Sequence, residues 1–258
     1  MKNLWSIAKR ELQGYFVSPI AYIVGAIFLL FSGLFFYLGV LQYEYYSNYS
    51  QQMMSYGGSG QMPNVNQVVF TFYFFWLQLI LILIIPLLTM KLFAEEKRTG
   101  TEELLLTSPL SVGQIVGGKF LASLLFFLVL LLLSGLSVLF SFLYGNPELL
   151  PILSGYLGLL LVGAAFVSLG LLFSALTENQ IISAVLTFGT LLILQFLYYV
   201  FLFTSGFLKN LLGSLSFTSH FVNLIQGNLD TADLVYFLSF TFFALFLTHS
   251  AIQSRRWR

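Results

Sequence analysis

The run IAYIVGAIFLLFSGLFFYLGVL, residues 20–41, decides the fold, because it holds 22 residues and no charge. At 1.5 Å per residue it makes a helix of about 33 Å, enough to cross the roughly 30 Å hydrocarbon core of a bilayer. Lys2, Lys9 and Arg10 stand before it as they would before a secretory leader. No small-residue cleavage site closes the run, so it reads as a span. Comparable runs recur at 68–90, 120–143, 152–176, 181–204 and 234–252. The expected fold is an all-α membrane protein with six transmembrane helices in one domain over residues 1–258, with no linker or soluble domain.

Composition agrees. The chain is 58% hydrophobic and 8% charged, against about a quarter charged in soluble domains. A net charge of +1 and the lack of any long basic run give no support to nucleic-acid binding. Without cysteine there are no disulfides, thiolate metal sites or cysteine nucleophiles.

Charge position carries more information than its sum. If the N-terminus is cytoplasmic, the inside segments hold Lys2, Lys9, Arg10, Lys91, Lys97, Arg98, Lys119, Arg255, Arg256 and Arg258, and only Lys209 lies outside. The excess of basic residues on the cytoplasmic side predicts that both termini are cytoplasmic. Residues 1–16 place Leu4, Trp5, Ala8, Leu12, Tyr15 and Phe16 on one helical face and Lys2, Lys9, Arg10 and Gln13 on the other. That pattern predicts a helix lying in the membrane interface.

The six apolar runs contain no Asp, Glu, Lys or Arg. A carrier driven by protons or ions keeps ionisable groups in the bilayer despite their cost. Their absence argues against a proton relay or voltage sensor, so any work must enter from outside the membrane. Gly155, Gly158, Gly163 and Gly170 along the fourth run, with serines such as Ser134, Ser168 and Ser174, read as packing positions. Pro86 either kinks the second span or is a tolerated membrane proline. The loops expected between spans include a long polar one at 42–67 and a half-apolar one at 205–233.

Three patterns are decoys. Gly113 to Lys119 nearly spells a phosphate loop, but Phe120 stands where Ser or Thr must reach a magnesium ion, and no strand precedes it. Ser59 and His249 might suggest an intramembrane serine protease, but about 30 Å of bilayer separates them. His220 lacks a His, Cys or acidic neighbour at ligand spacing and reads as a surface or loop-packing residue. No catalytic or metal residues are expected.

Residues 93–109, FAEEKRTGTEELLLTSP, hold six of the 21 charged side chains. Thr99 with Glu102 reads as a capping box, predicting a helix from about Gly100 through Leu106 that Pro109 ends. Ser111 with Gln114 reads as a second box that starts the third span. An isolated two-turn helix is marginal in water, so this one is expected to dock on a partner. Topology alone needs no four glutamates and a leucine triplet.

The order F-x-E-E-K-R-x-G-T-x-E-x-L-L-x-x-P-x-S, followed by Gly118 and Lys119, resembles the signature of ABC-2 type transporter permeases. The tail, with Ser219, His220, Phe221, Gln226, Gly227, Asp233, Tyr236 and Arg255 to Trp257, is similar to the gliding-motility-associated subgroup of bacterial permease subunits. The resemblance implies a subunit of the bacterial cytoplasmic (inner) membrane that pairs with a second permease chain, as homo- or heterodimer, and with cytoplasmic ATPase subunits carrying ATP and Mg. It implies that 1–16 form an elbow helix and that 205–233 form two short outer helices re-entering the membrane. It also implies a coupling helix contacting the ATPase through Glu95, Glu96, Arg98, Thr99, Gly100, Thr101, Glu102, Glu103, Leu105, Leu106 and Pro109. The function implied is transport, most naturally export, of an unidentified substrate. The alternative is a non-transporting membrane anchor or mechanotransmission subunit for an ATPase complex. This chain itself is expected to bind no cofactor and to be no enzyme.

Overall fold

The structure, a computed structural model, describes residues 2–57, 62–101, 110–144 and 146–256. All regular elements among them are helical. They are α1 (Lys2–Val17), α2 (Pro19–Ser55), a π turn (Asn66–Phe70), α3 (Thr71–Thr89), α4 (Ala94–Arg98), α5 (Val112–Tyr144), α6 (Leu149–Leu176), α7 (Gln180–Phe203), α8 (Phe207–Leu215), α9 (Phe217–Ile225) and α10 (Thr231–Arg256). Six helical stretches are long and apolar enough to cross a membrane, beginning at Pro19, Asn66, Val112, Leu149, Gln180 and Thr231. The all-α membrane fold is as expected.

Sequence chemistry explains the breaks. Ser18 is extended, with ψ 124°, as a residue before proline should be, and Pro19 opens α2 at its first turn. Asn179 caps α7 by accepting from Ile181 N at 2.9 Å. The second expected box holds, since Ser111 N donates to Gln114 Oε1 at 3.2 Å and Gln114 N to Ser111 Oγ at 3.3 Å.

One loop is not a loop. The expected polar connection at 42–67 begins with four further turns of α2, which runs to Ser55. No glycine or proline interrupts residues 40–56, and Gly57, at φ +81°, supplies the left-handed stop. At 37 residues α2 is about 55 Å long. Its far end therefore projects well beyond a bilayer core and carries exposed Tyr45, Tyr46 and Tyr49.

Helix α6 is the centre of the bundle. Its glycines admit neighbours that no larger side chain would. A Cβ on Gly155 would lie 2.3 Å from the Phe74 ring, on Gly163 2.1 Å from Phe127, and on Gly170 2.0 Å from Thr89 Oγ1. The packing reading of that stripe is correct. Pro86 lies inside α3, which passes through it and stops at Thr89. The chain turns only afterwards, at 90–93.

At the opposite end from α4, the two short helices implied by the family resemblance are α8 and α9. Phe217, Phe221, Leu224 and Ile225 of α9 are buried, with Phe221 against Gly158. Thr218 reaches into the bundle, donating to Gln195 Oε1 at 2.8 Å and accepting from Gln78 Nε2 at 3.0 Å. His220 does have an acidic neighbour, contrary to expectation. Its Nδ1 lies 2.5 Å from Asp233 Oδ1, Asn223 donates to the other oxygen at 3.2 Å, and Tyr236 stacks on the imidazole at 4.1 Å. The loop-packing role stands, with Asp233 brought from 13 residues away by the turn into α10.

Candidate coupling site

The charged segment is built onto the bundle rather than hung from it. The chain leaves α3 through a turn, and Ser174 near the end of α6 closes that turn. Ser174 Oγ accepts from Phe93 N at 3.0 Å and Ala94 N at 3.1 Å, and donates to Met90 O at 3.1 Å. Two amides at the start of α4 thus find an acceptor that the helix itself cannot provide. Lys97 Nζ donates to Ala175 O. Glu95 and Glu96 occupy the first turn of α4 and Lys97 and Arg98 the last, each matching the helix dipole.

Thr99 ends this helix instead of beginning the next. Its backbone is helical, at φ −88° and ψ −3°, whereas an N-cap is extended. Its hydroxyl donates to Glu95 O at 2.9 Å. Gly100 adopts φ +70°, Gly100 N donates to Lys97 O at 3.1 Å and Thr101 N to Glu96 O at 3.0 Å. That is the double bond of a Schellman stop. The cap expected at Thr99 is therefore overturned, and the missed signal is a basic pair followed by Thr-Gly. Glu102, Glu103, Leu105, Leu106 and Pro109, with the helix expected there, lie outside the described residues.

Lys119, counted in the sequence among the basic residues of the cytoplasmic side, lies within α5 and is 1% exposed. Its ammonium meets Glu96 Oε1 at 2.7 Å, Glu11 Oε1 at 3.2 Å and Leu92 O at 2.7 Å. Those three acceptors exhaust its three N–H groups. It also lies 5.1 Å from the Phe93 ring centre. Arg10 adds a second cation, 3.0 Å from Glu11 and 3.9 Å from Glu96. One buried lysine therefore ties α1, the turn after α3, and α4 to α5.

The near-phosphate loop is explained here. A Cβ on Gly118 would meet Ile7 at 2.7 Å, and one on Gly117 would meet Leu4 at 3.3 Å. The glycines are the seat on which α1 lies, and the lysine that follows is spent on carboxylates. Helix α1 is correspondingly less free than an interfacial helix. Ile7, Ala8 and Tyr15 are buried against α5, with Tyr15 OH donating to Leu88 O at 3.0 Å and lying 2.9 Å from Ser123 Oγ. Trp5 and Phe16, on the same apolar face, stay 59% and 43% exposed, as side chains turned to a membrane interface would be.

Burial would raise the Glu11 carboxyl, but the Lys119 ammonium together with Arg10 outweighs it and holds the group below its ordinary value of 4.5. A depressed carboxylate contributes stability above its unfolded-state value and loses it as pH falls through the folded one. Glu11→Gln should therefore melt below the unaltered protein at pH 7, with the gap closing as pH drops below about 4.5. Thermal unfolding in detergent from pH 7 to about 3.5 checks this. A gap independent of pH would refute the ion pair's contribution.

Among the described residues no group of His, Cys, Asp or Glu could hold a metal ion. Of the residues expected to form the coupling contact, Glu95, Glu96, Arg98, Thr99, Gly100 and Thr101 sit together on α4 and its closing turn. Beside them opens a polar cavity of about 310 Å³, lined by Glu11, Lys91, Glu95, Glu96, Thr99 and Lys119 among others. Comparison with curated proteins finds no match. A model of the ABC-2 family transporter proteins matches residues 5–253, nearly the full length and both ends of the ion-paired cluster. The chain belongs to the ABC-2 transporter family.

Proposed function

We propose that this chain is the permease subunit of an ATP-binding-cassette exporter, in which partner ATPase subunits hydrolyse ATP and α4 with the residues after it receives their motion. The observation that carries the reading is the attachment of α4. It is held to α6 through Ser174 and Ala175, to α5 through Lys119, and through the same lysine to Glu11 of α1. A push on α4 is therefore delivered to the ends of three bundle helices at once. The six apolar runs, which hold no Asp, Glu, Lys or Arg, offer no proton relay to do the work instead. On this reading the charged end faces the cytoplasm of a bacterium, both termini lie there, a second permease chain completes the path, and the tail's likeness supports the gliding-motility-associated subgroup.

Glu102→Ala combined with Leu105→Lys should abolish co-purification of the ATPase subunit while leaving membrane insertion intact. A pull-down from solubilised membranes reads both. Unchanged association would remove the coupling role from this segment.

A further inference from the structure

An apolar notch of about 280 Å³ lies between the first half of α2 and the middle of α5. Ala21, Gly25 and Ala26 form one wall, Phe126 and Leu130 the other, and Tyr15 of α1 closes one end. The notch exists because α2 has small residues at these positions while α5 offers large ones. Its rim is outward-facing, with Tyr22 62% and Leu133 42% exposed. In a chain with six membrane-crossing helices, that surface meets acyl chains.

Beyond the Tyr15 ring that closes the notch, in the neighbouring polar cavity, stands a cation. Lys91 Nζ is 5.7 Å from the centre of the Tyr15 ring and 3.1 Å from Ser18 Oγ, at the turn between α1 and α2. Ser18 takes one N–H of three, and the ammonium can serve two more acceptors. Cation, hydroxyl and phenol ring thus gather where the apolar wall gives way to the charged end of the bundle. A cation in that position complements an anionic lipid headgroup.

We propose that this notch is a phospholipid site, with one acyl chain lying between α2 and α5 and the phosphate held by Lys91 and Ser18. A second copy of the chain would have to bring an apolar knob and an anion together at one depth, whereas a phospholipid carries both in one molecule. The site is independent of the coupling reading, since it needs no ATPase. A lipid there would brace the α1–α2 turn beside the cavity that Tyr15 and Lys91 also line.

Native mass spectrometry of the full chain in mild detergent, with phosphatidylglycerol and phosphatidylethanolamine supplied, tests the site. The unaltered chain should retain one phospholipid. Ala26→Trp, which fills the notch from α2, and Lys91→Gln should each lower retention about fivefold, the scale of one lysine near a lipid surface. Leu30→Trp, on an outward position of the same helix, should leave retention unchanged, and circular dichroism should show all variants equally helical. Retention equal in all four proteins, or absent from the unaltered chain, would overturn the proposal. So would a chain–chain adduct that disappears in Ala26→Trp without any lipid change.

Discussion

Replacing Lys119 by Met is expected to lower stability by about 3 to 5 kcal/mol, the cost of stranding buried charges by removing their partner. Glu11 and Glu96 both point at that ammonium, and their side chains are each only 18% exposed. Without it, two carboxylates face each other with Arg10 as the remaining cation of the cluster among the described residues, and Leu92 O loses its donor. The Phe93 turn and the seat of α1 should loosen together. The triple variant Lys119→Met with Glu11→Gln and Glu96→Gln should recover most of the loss, because a buried pair replaced on both sides leaves no stranded charge. Melting in detergent, read by fluorescence-detected chromatography, separates the cases. If Lys119→Met melts with the unaltered protein, the cluster is not holding these elements together.

That cluster marks the boundary of what the sequence discloses. Period, length and charge-free runs locate six spans because the bilayer imposes one dimension on every crossing helix. The box at Ser111 and Gln114 is legible because both partners lie within one turn. Lys119 and Glu11 are 108 residues apart, and nothing local distinguishes a lysine that pairs inward from one that marks topology. Nothing local singles out Glu11, because the face that decides its role belongs to α5. His220 and Asp233 were likewise quoted separately in the tail, and only the reversal between α9 and α10 joins them.

Thr99 is a different kind of miss. Its spacing to Glu102 satisfies a helix-start pattern, but the preceding residues Glu95 to Arg98 already form a helix that needs an end. Gly100, free to take positive φ, supplies the end. Two local patterns competed for one residue, and docking of α4 on Ser174 settled which formed. The projection of α2 to Ser55 has a similar cause, since polar composition was taken for a loop where no breaker exists. The charged residues of α4 stand out by composition, while its attachments to the bundle come from Ser174, Ala175 and Lys119, which composition does not single out.

Gly163→Val should be among the most damaging changes within the membrane part. The first added carbon alone would stand 2.1 Å from the buried Phe127 ring, and valine adds two methyl groups beyond it. Overpacking typically costs about 1 to 3 kcal/mol and sometimes more. Here it also separates α6 from α5, the two helices to which α4 is fastened. Gly163→Ala should do measurable harm and Gly163→Val much more, and Phe127→Leu should partly rescue the alanine variant by removing the ring that collides. Gly189→Ala, where nothing lies within 4 Å of the new carbon, should be neutral or stabilising by up to about 1 kcal/mol. Melting midpoints of the four variants in one detergent decide the matter. Equal effects at Gly163 and Gly189 would mean that the stripe reflects loose helix packing and not the close approach of α6 to its neighbours.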